Sequence, residues 1–211
     1  MKKLIFKVTI LVARLLGMEG LVKIYIGGLR EDGWFLSFKL KQAVRKDLKP
    51  IPWYTYPAIK FIEGRLKSSM KVYEFGCGNS TLWYSQRVNW VDSVEHDKEW
   101  YDYIINSMPK NVSINQSYKD YVDDIDSRGC KYDLIVIDGL NRGLCARKAV
   151  LNLTKNGVII LDNSDKQKHK SAVDFLDNTG LKRIDFFGLA PMCARNVCTT
   201  IYYPQDNILD I

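Results

Sequence analysis

The 211 residues contain no run approaching the roughly 20 uncharged apolar residues of a membrane span, which argues against a helical membrane protein. They also lack a CxxC pair. The five cysteines, at 77, 130, 145, 193 and 198, are odd in number and scattered. That pattern argues against a disulfide framework or zinc site and for a reducing compartment, with most of the thiols acting as small buried residues. The opening MKKLIFKVTILVARLLG has no small-x-small cleavage site, and Lys7 and Arg14 interrupt its apolar character. It is therefore not read as a signal peptide. There is no internal repeat and no low-complexity stretch.

What is present is a soluble globular mixture, 46% hydrophobic and 26% charged, of a length that fits one ordinary domain plus an extension. The net charge of +7 is uneven. Of 31 Lys+Arg and 24 Asp+Glu, residues 1–67 hold 14 and 5, leaving 17 and 19 for the rest. A basic front of this kind suits a membrane surface or an acidic partner, and equally a solvated basic face. Leu4, Val8, Leu11, Val12 and Leu15 recur at helical spacing. They predict an amphipathic helix that docks on the domain, the first expectation, or lies on a membrane surface.

Residues 1–49 read as a basic N-terminal helical extension, and 50–211 as the main domain. Pro50 to Pro57, with three prolines and three aromatics, cannot be a helix interior, and a helix follows from just inside Pro57. From Lys71 short strands and helices alternate. Strands are expected near 71–75, 90–95, 112–116, 132–137 and 157–161, and helices near 80–87, 98–107, 119–127, 143–153 and 166–178. Two final runs, Lys182 to Phe187 and Cys198 to Tyr203, have no helix between them and should pair antiparallel at one edge. The class is α/β: a Rossmann-like, doubly wound, mostly parallel seven-stranded sheet with an antiparallel C-terminal edge strand.

Ligands of such sheets bind beyond the carboxyl ends of the strands. Glu74–Gly78, Glu95–Asp97, Gln116–Ser117, Asp138–Gly139 and Asp162–Asn163 then line one rim. The stretch VYEFGCGNST combines a strand, a glycine turn and a helix start, a place where backbone N–H groups face a ligand. A dinucleotide fingerprint wants a third glycine where Thr81 stands. Glu74, two residues before the first glycine, would repel a pyrophosphate and attract an ammonium or sulfonium. Glu95, closing the second strand, can accept ribose hydroxyls. A ribose, an adenine and a cationic tail together fit S-adenosylmethionine better than NAD.

VYEFGCGNST followed by VDSVEHD resembles the first two motifs of class I S-adenosylmethionine-dependent methyltransferases, over roughly residues 50–203. PIPWYTYPAI, IDGLNR, GVIILDNSD and RIDFFGLAP resemble small bacterial methyltransferases of surface-glycan biosynthesis. The usual third glycine of the motif is Ser80 here. The resemblance implies that Glu74 holds the methionine ammonium, that Gly76 and Gly78 admit the backbone to the ligand, and that Asn79, Ser80 and Thr81 open the following helix. Glu95 would bind the ribose between His96 and Asp97, and Ser117 and Asp120 would sit by the adenine.

Methyl transfer is an in-line displacement, aided for a hydroxyl acceptor by a base. Asp138, at the end of the fourth strand, is the expected base, and Arg142, four residues on, a clamp for an anionic acceptor group. Trp53, Tyr54 and Tyr56 are candidates for folding over the cofactor or stacking on a sugar, or for stapling the N-terminal segment down. Pro191 to Val197 would form another wall, and His169 is expected on the surface. Asp138 with Asp162 and Asn163 is similar to the metal triad of catechol-type O-methyltransferases, so Mg²⁺ and a metal-free site stand as equal alternatives.

The leading reading is methyl transfer to oxygen of a small-molecule or glycan acceptor, in a cytoplasmic protein that is at most peripheral at the inner membrane face. A nicotinamide-dependent oxidoreductase and a non-catalytic nucleotide-binding module at a membrane are the alternatives. Nucleic acid is not the expected acceptor despite a pI near 9.1, because neither a (D/N)PP(Y/F/W) motif nor an aromatic–basic repeat is present.

Overall fold

The computed structural model describes residues 2–211, with side chains described from Phe6 onward. Four helices come first: α1 (Lys2–Leu15), α2 (Glu19–Ile26), α3 (Gly28–Glu31) and α4 (Trp34–Leu40). Helix α5 (Tyr56–Glu63) starts where expected, with the Thr55 hydroxyl accepting from Ala58 N and Pro57 in the first turn. Then follow β1 (Lys71–Phe75), α6 (Asn79–Ser85), β2 (Trp90–Glu95), α7 (Lys98–Ile104), β3 (Val112–Gln116), α8 (Asp124–Ser127) and β4 (Tyr132–Ile137). The chain ends with α9 (Arg142–Asn152), β5 (Leu153–Asp162), α10 (Lys170–Asp177), β6 (Lys182–Gly188) and β7 (Val197–Tyr203).

The seven strands form one sheet in the order β3-β2-β1-β4-β5-β7-β6. The first five strands run parallel. The C-terminal β7 runs antiparallel to both β5 and β6 and lies between them, so the edge strand is β6 and not the C-terminal strand that was expected there. Side-chain alternation divides the core into two layers. Val72, Leu134, Val136, Val158 and Ile160 face one side, with Ile59 and Ile62 of α5 and Trp83 and Tyr84 of α6. Tyr73, Phe75, Ile135, Ile137, Ile159 and Leu161 face the other, against Ala146 and Ala149 of α9 and Leu176 of α10. Strands buried on both faces read as continuous apolar runs, which is why they were legible.

Two expectations change. The helix near 119–127 shrinks to α8, because Ser117 Oγ accepts from Asp120 N and turns the chain first. Leu4 of the expected apolar stripe lies outside the described side chains, and the rest of the stripe is not buried. Val8, Leu11, Val12 and Leu15 are 52%, 56%, 49% and 80% exposed, and Ala13 is the buried side chain among those described in α1. Packing also crosses the expected 49/50 boundary. Ala43 and Val44 are buried, Ala43 in the core layer of α5, and Val44 bridges to Pro50.

Candidate functional site

The rim where the parallel strands end carries the site. After β1 the chain turns at Gly76, whose φ of +101° only glycine adopts without strain, and its missing side chain leaves Asp138 and Gly139 backbone within 3.7 Å of a would-be Cβ. Gly78 is extended (φ 171°), and its N–H donates to Thr81 Oγ1 at 3.0 Å, which fixes the entry to α6. Asn79 turns away from the turn, its Nδ2 donating to Ala43 O at 2.8 Å. Burial and the nearby acids Glu95 and Glu74 hold the Cys77 thiol well above its ordinary range, so it is no nucleophile.

Glu74 is buried, and its Oε2 has no hydrogen-bond partner among the described residues. Burial raises its pKa to about 8, against the Thr81 and Ser80 hydroxyls, and Asp138 adds repulsion. A buried carboxylate with an open acceptor site is costly unless something cationic completes it. That is the requirement a ligand ammonium meets.

Glu95 closes β2 and is held from three sides. Its Oε1 accepts from His96 N at 2.8 Å and Asp97 N at 2.9 Å, and its Oε2 accepts from Cys77 N at 3.1 Å. With Gly76, Cys77, Ser80, His96, Asp138 and Gly139 it lines a cavity of about 120 Å³. Asp97 caps α7, accepting from Trp100 N, and Trp100 Nε1 donates to Cys77 O at 2.8 Å. Ser117 is tied to Asp120, which is exposed, and neither lines this cavity.

Asp138 ends β4 at the centre of the rim. It borders the small cavity, a second of 360 Å³ with Asp162, Asn163, Lys166 and Arg195, and a third of 660 Å³ with Trp53, Asn79, Leu82, Trp100 and Tyr103. Among the described residues no other borders all three. One Asp138 oxygen accepts from Arg142 Nη2 at 2.9 Å. Burial pushes the Asp138 pKa up, and Arg142 and Lys166 pull against it.

The expected role of Arg142 is corrected. Its side chain is 8% exposed, and it donates to Gly139 O, Asp162 O and Asp138. It knits the ends of β4 and β5 together and is not free to clamp an acceptor. Tyr54 and Tyr56 are likewise buried in the core layer of α5, whereas Trp53, 52% exposed, lines two cavities. His169 is buried, contrary to expectation. Burial and the surrounding Arg142, Lys168 and Lys166 lower its pKa to about 4, so it stays neutral.

Asp138, Asp162 and Asn163 do converge, but their donor set does not fit a divalent cation. Asp162 Oδ1 accepts from Thr199 Oγ1 at 2.7 Å and Oδ2 from Asn163 Nδ2 at 2.6 Å, while Asn163 Oδ1 accepts from Lys166 Nζ at 2.5 Å. The place of a metal charge is taken by the Arg142 guanidinium and the Lys166 ammonium. Burial first, and then Asp138, raise the Asp162 pKa. Among the described residues no three His, Cys, Asp or Glu side chains gather into a metal-holding group.

Sequence reasoning missed Trp100, Tyr103, Lys166 and residues 41–43 as cavity walls, whereas Met192, Cys193, Arg195 and Val197 lie in the stretch from Pro191 to Val197 expected to form one. Lys166 was visible as a cation three residues from Asn163. Trp100 and Tyr103 come from α7 and residues 41–43 from the N-terminal segment, and no local pattern encodes how these pack on the rim.

No family model and no curated protein matches the chain. Solved structures do. A proposed O-methyltransferase from Klebsiella pneumoniae superposes with TM-score 0.60 at 15% identity, over 87% of this chain and 94% of that one. Precorrin-6y C5,15-methyltransferase from Geobacter metallireducens gives 0.59 at 15% identity, over 78% and 92%. The O-methyltransferase TomG from Streptomyces achromogenes, involved in tomaymycin synthesis and solved with S-adenosylmethionine, gives 0.53 at 13% identity, over 68% and 76%.

Proposed function

On the fold of class I S-adenosylmethionine-dependent methyltransferases, which this chain has, we propose that it transfers a methyl group from S-adenosylmethionine to an oxygen of a small-molecule or glycan-type acceptor. The observation that carries the reading is the position of Asp138. It is the one residue shared by the glycine-turn cavity, with Glu95 on its wall, and the two cavities open to an acceptor.

When bound, S-adenosylmethionine supplies a methyl group on a sulfonium. Glu74 accepts the ligand ammonium with its unpartnered oxygen and, on doing so, loses the proton that burial had favoured. Glu95, held by three backbone N–H groups, accepts from the ribose. Asp138 keeps one oxygen on Arg142 and uses the other to orient the acceptor hydroxyl and take its proton. Arg142 fixes the angle of Asp138, and Lys166 balances Asp162 and Asn163 so that no metal is needed to hold the charge. Trp53 offers a half-exposed face for a sugar ring, and Lys166 with Arg195 favours an acceptor bearing acid groups.

A labelled-methyl assay against glycan precursors, run with Mg²⁺ and with EDTA, tests this. Transfer should occur equally in both, and Asp138→Asn should lower it by about 10²–10⁴-fold, the range for a lost general base. Full transfer by Asp138→Asn, or its abolition by EDTA, would overturn the assigned chemistry.

A further inference from the structure

The N-terminal helices are built the wrong way round for a segment that stabilises the domain. On a helical wheel at about 100° per residue, Val8, Leu11, Val12 and Leu15 fall within an arc of about 100°, and Lys7 and Arg14 lie together at its border. That apolar arc points to solvent, Leu15 being 80% exposed. Helix α2 likewise leaves Leu21 and Tyr25 63% and 57% exposed and has no buried residue. Exposed apolar side chains gathered in this way mark an interaction surface.

Charge selects the occupant. Residues 1–49 hold 11 Lys+Arg and 4 Asp+Glu, while 50–211 hold 20 of each, so the whole net charge of +7 sits on this segment. Two copies meeting face to face would bring those charges together and repel. An anionic surface with an apolar layer beneath it satisfies both features. No described helix is long and apolar enough to cross a membrane, so the segment lies on the surface.

We propose that α1 and α2 seat this protein on an anionic lipid bilayer, the apolar arc of α1 at the acyl boundary and Lys7 and Arg14 at the headgroups. The seat is joined to the crevice. Trp34 Nε1 of α4 donates to Cys193 O at 2.9 Å, and Asn79 grips Ala43 O. Residues Lys41, Gln42 and Ala43 line the 660 Å³ cavity. An acceptor carried at a lipid surface would thus enter beside the segment that holds the protein there. The docking stands independently of the methyl-transfer reading.

Co-sedimentation of the full chain with phosphatidylcholine vesicles, with and without roughly 30 mol % phosphatidylglycerol, tests it. Binding should be at least about 10-fold tighter on the anionic vesicles and should weaken between about 0.1 M and 0.5 M salt. Leu11→Glu/Leu15→Glu should abolish it, and Lys7→Glu should reduce the anionic preference. Calorimetric binding of S-adenosylhomocysteine by the same variants should be unchanged, which separates loss of the seat from loss of the fold. Absent or equal binding to both vesicles would overturn the proposal. So would a concentration-dependent dimer in sedimentation velocity that Leu11→Glu/Leu15→Glu dissolves, since a second copy would then be the occupant.

Discussion

The proposed binding chemistry rests on Glu74, because burial and an unpartnered oxygen act on one carboxylate. Its pKa of about 8, against an ordinary 4.5, means the ligand-free folded protein holds a proton that the unfolded chain releases. The resulting stabilisation is present in full below about pH 4.5 and is lost as pH rises through about 8. Thermal unfolding of the ligand-free protein should therefore show a melting temperature that falls between pH 6 and pH 9, and Glu74→Gln should flatten that fall. Binding an ammonium should expel the same proton. Near pH 7, S-adenosylhomocysteine titrated in buffers of different ionisation heat should report release of about one proton, and Glu74→Gln should report none. Arg142 makes a second residue-level case. Because it spans Gly139, Asp138 and Asp162, Arg142→Lys should lose the fork that fixes Asp138 and lower turnover by about 10-fold or more, with little change in cofactor affinity. From sequence the spacing of Asp138 and Arg142 was visible, but four residues along a helix start serves an internal ion pair as well as an outward clamp. Likewise Trp53, Tyr54 and Tyr56 share one aromatic segment, and only the fold separates the open ring from the two buried ones.

At the scale of elements, the ends of β1 and β4 meet so closely that side chains are excluded. A Cβ on Gly139 would lie 1.8 Å from Tyr121 Oη and 2.9 Å from Phe75 O. Gly139→Ala should displace Tyr121 or the strand end, lowering the melting temperature and weakening S-adenosylhomocysteine binding together. Beneath the rim, Arg128 ties β2, β3 and α8 through Asp92, Ser93 O, Ser113 and Asp124, while Tyr73 and Tyr132 donate to the two aspartates. Removing the cation in Arg128→Met leaves two buried carboxylates unpaired, at a cost of about 3–5 kcal/mol. For a chain of this size that is roughly 10 °C in a thermal melt. A shift within a degree would show the network to be dispensable. Strand positions were legible because apolar runs bounded by turns leave little choice. The short α8 was not, since Ser117 competes for the backbone that helix propensity would claim. Thr199 supports Asp162 across 37 residues of sequence, through a β5–β7 pairing that no local pattern records.

Across the whole molecule, a near-neutral α/β body, residues 50–211, is joined to an N-terminal segment that carries all of the excess charge. The mostly parallel sheet and the carboxyl-end crevice, with Glu95 and Asp138 on one cavity, follow from strand–helix alternation and right-handed crossovers. Which way α1 turns its apolar face does not, because periodicity defines a stripe without saying whether protein or lipid covers it. The walls of the two larger rim cavities depend on the same missing information, being built in part from residues 41–43, Trp53 and the loop before β7. The central claim is that Glu74 and Glu95 make this rim a site for an adenosyl ligand with a cationic tail. Calorimetric titration with S-adenosylhomocysteine and with NADH tests it most directly. We expect micromolar binding of S-adenosylhomocysteine, at least about 10-fold weaker in Glu74→Gln and in Glu95→Ala, as loss of a charged hydrogen-bond partner implies, and no binding of NADH. Tight binding of NADH with none of S-adenosylhomocysteine, or full affinity in both variants, would contradict it.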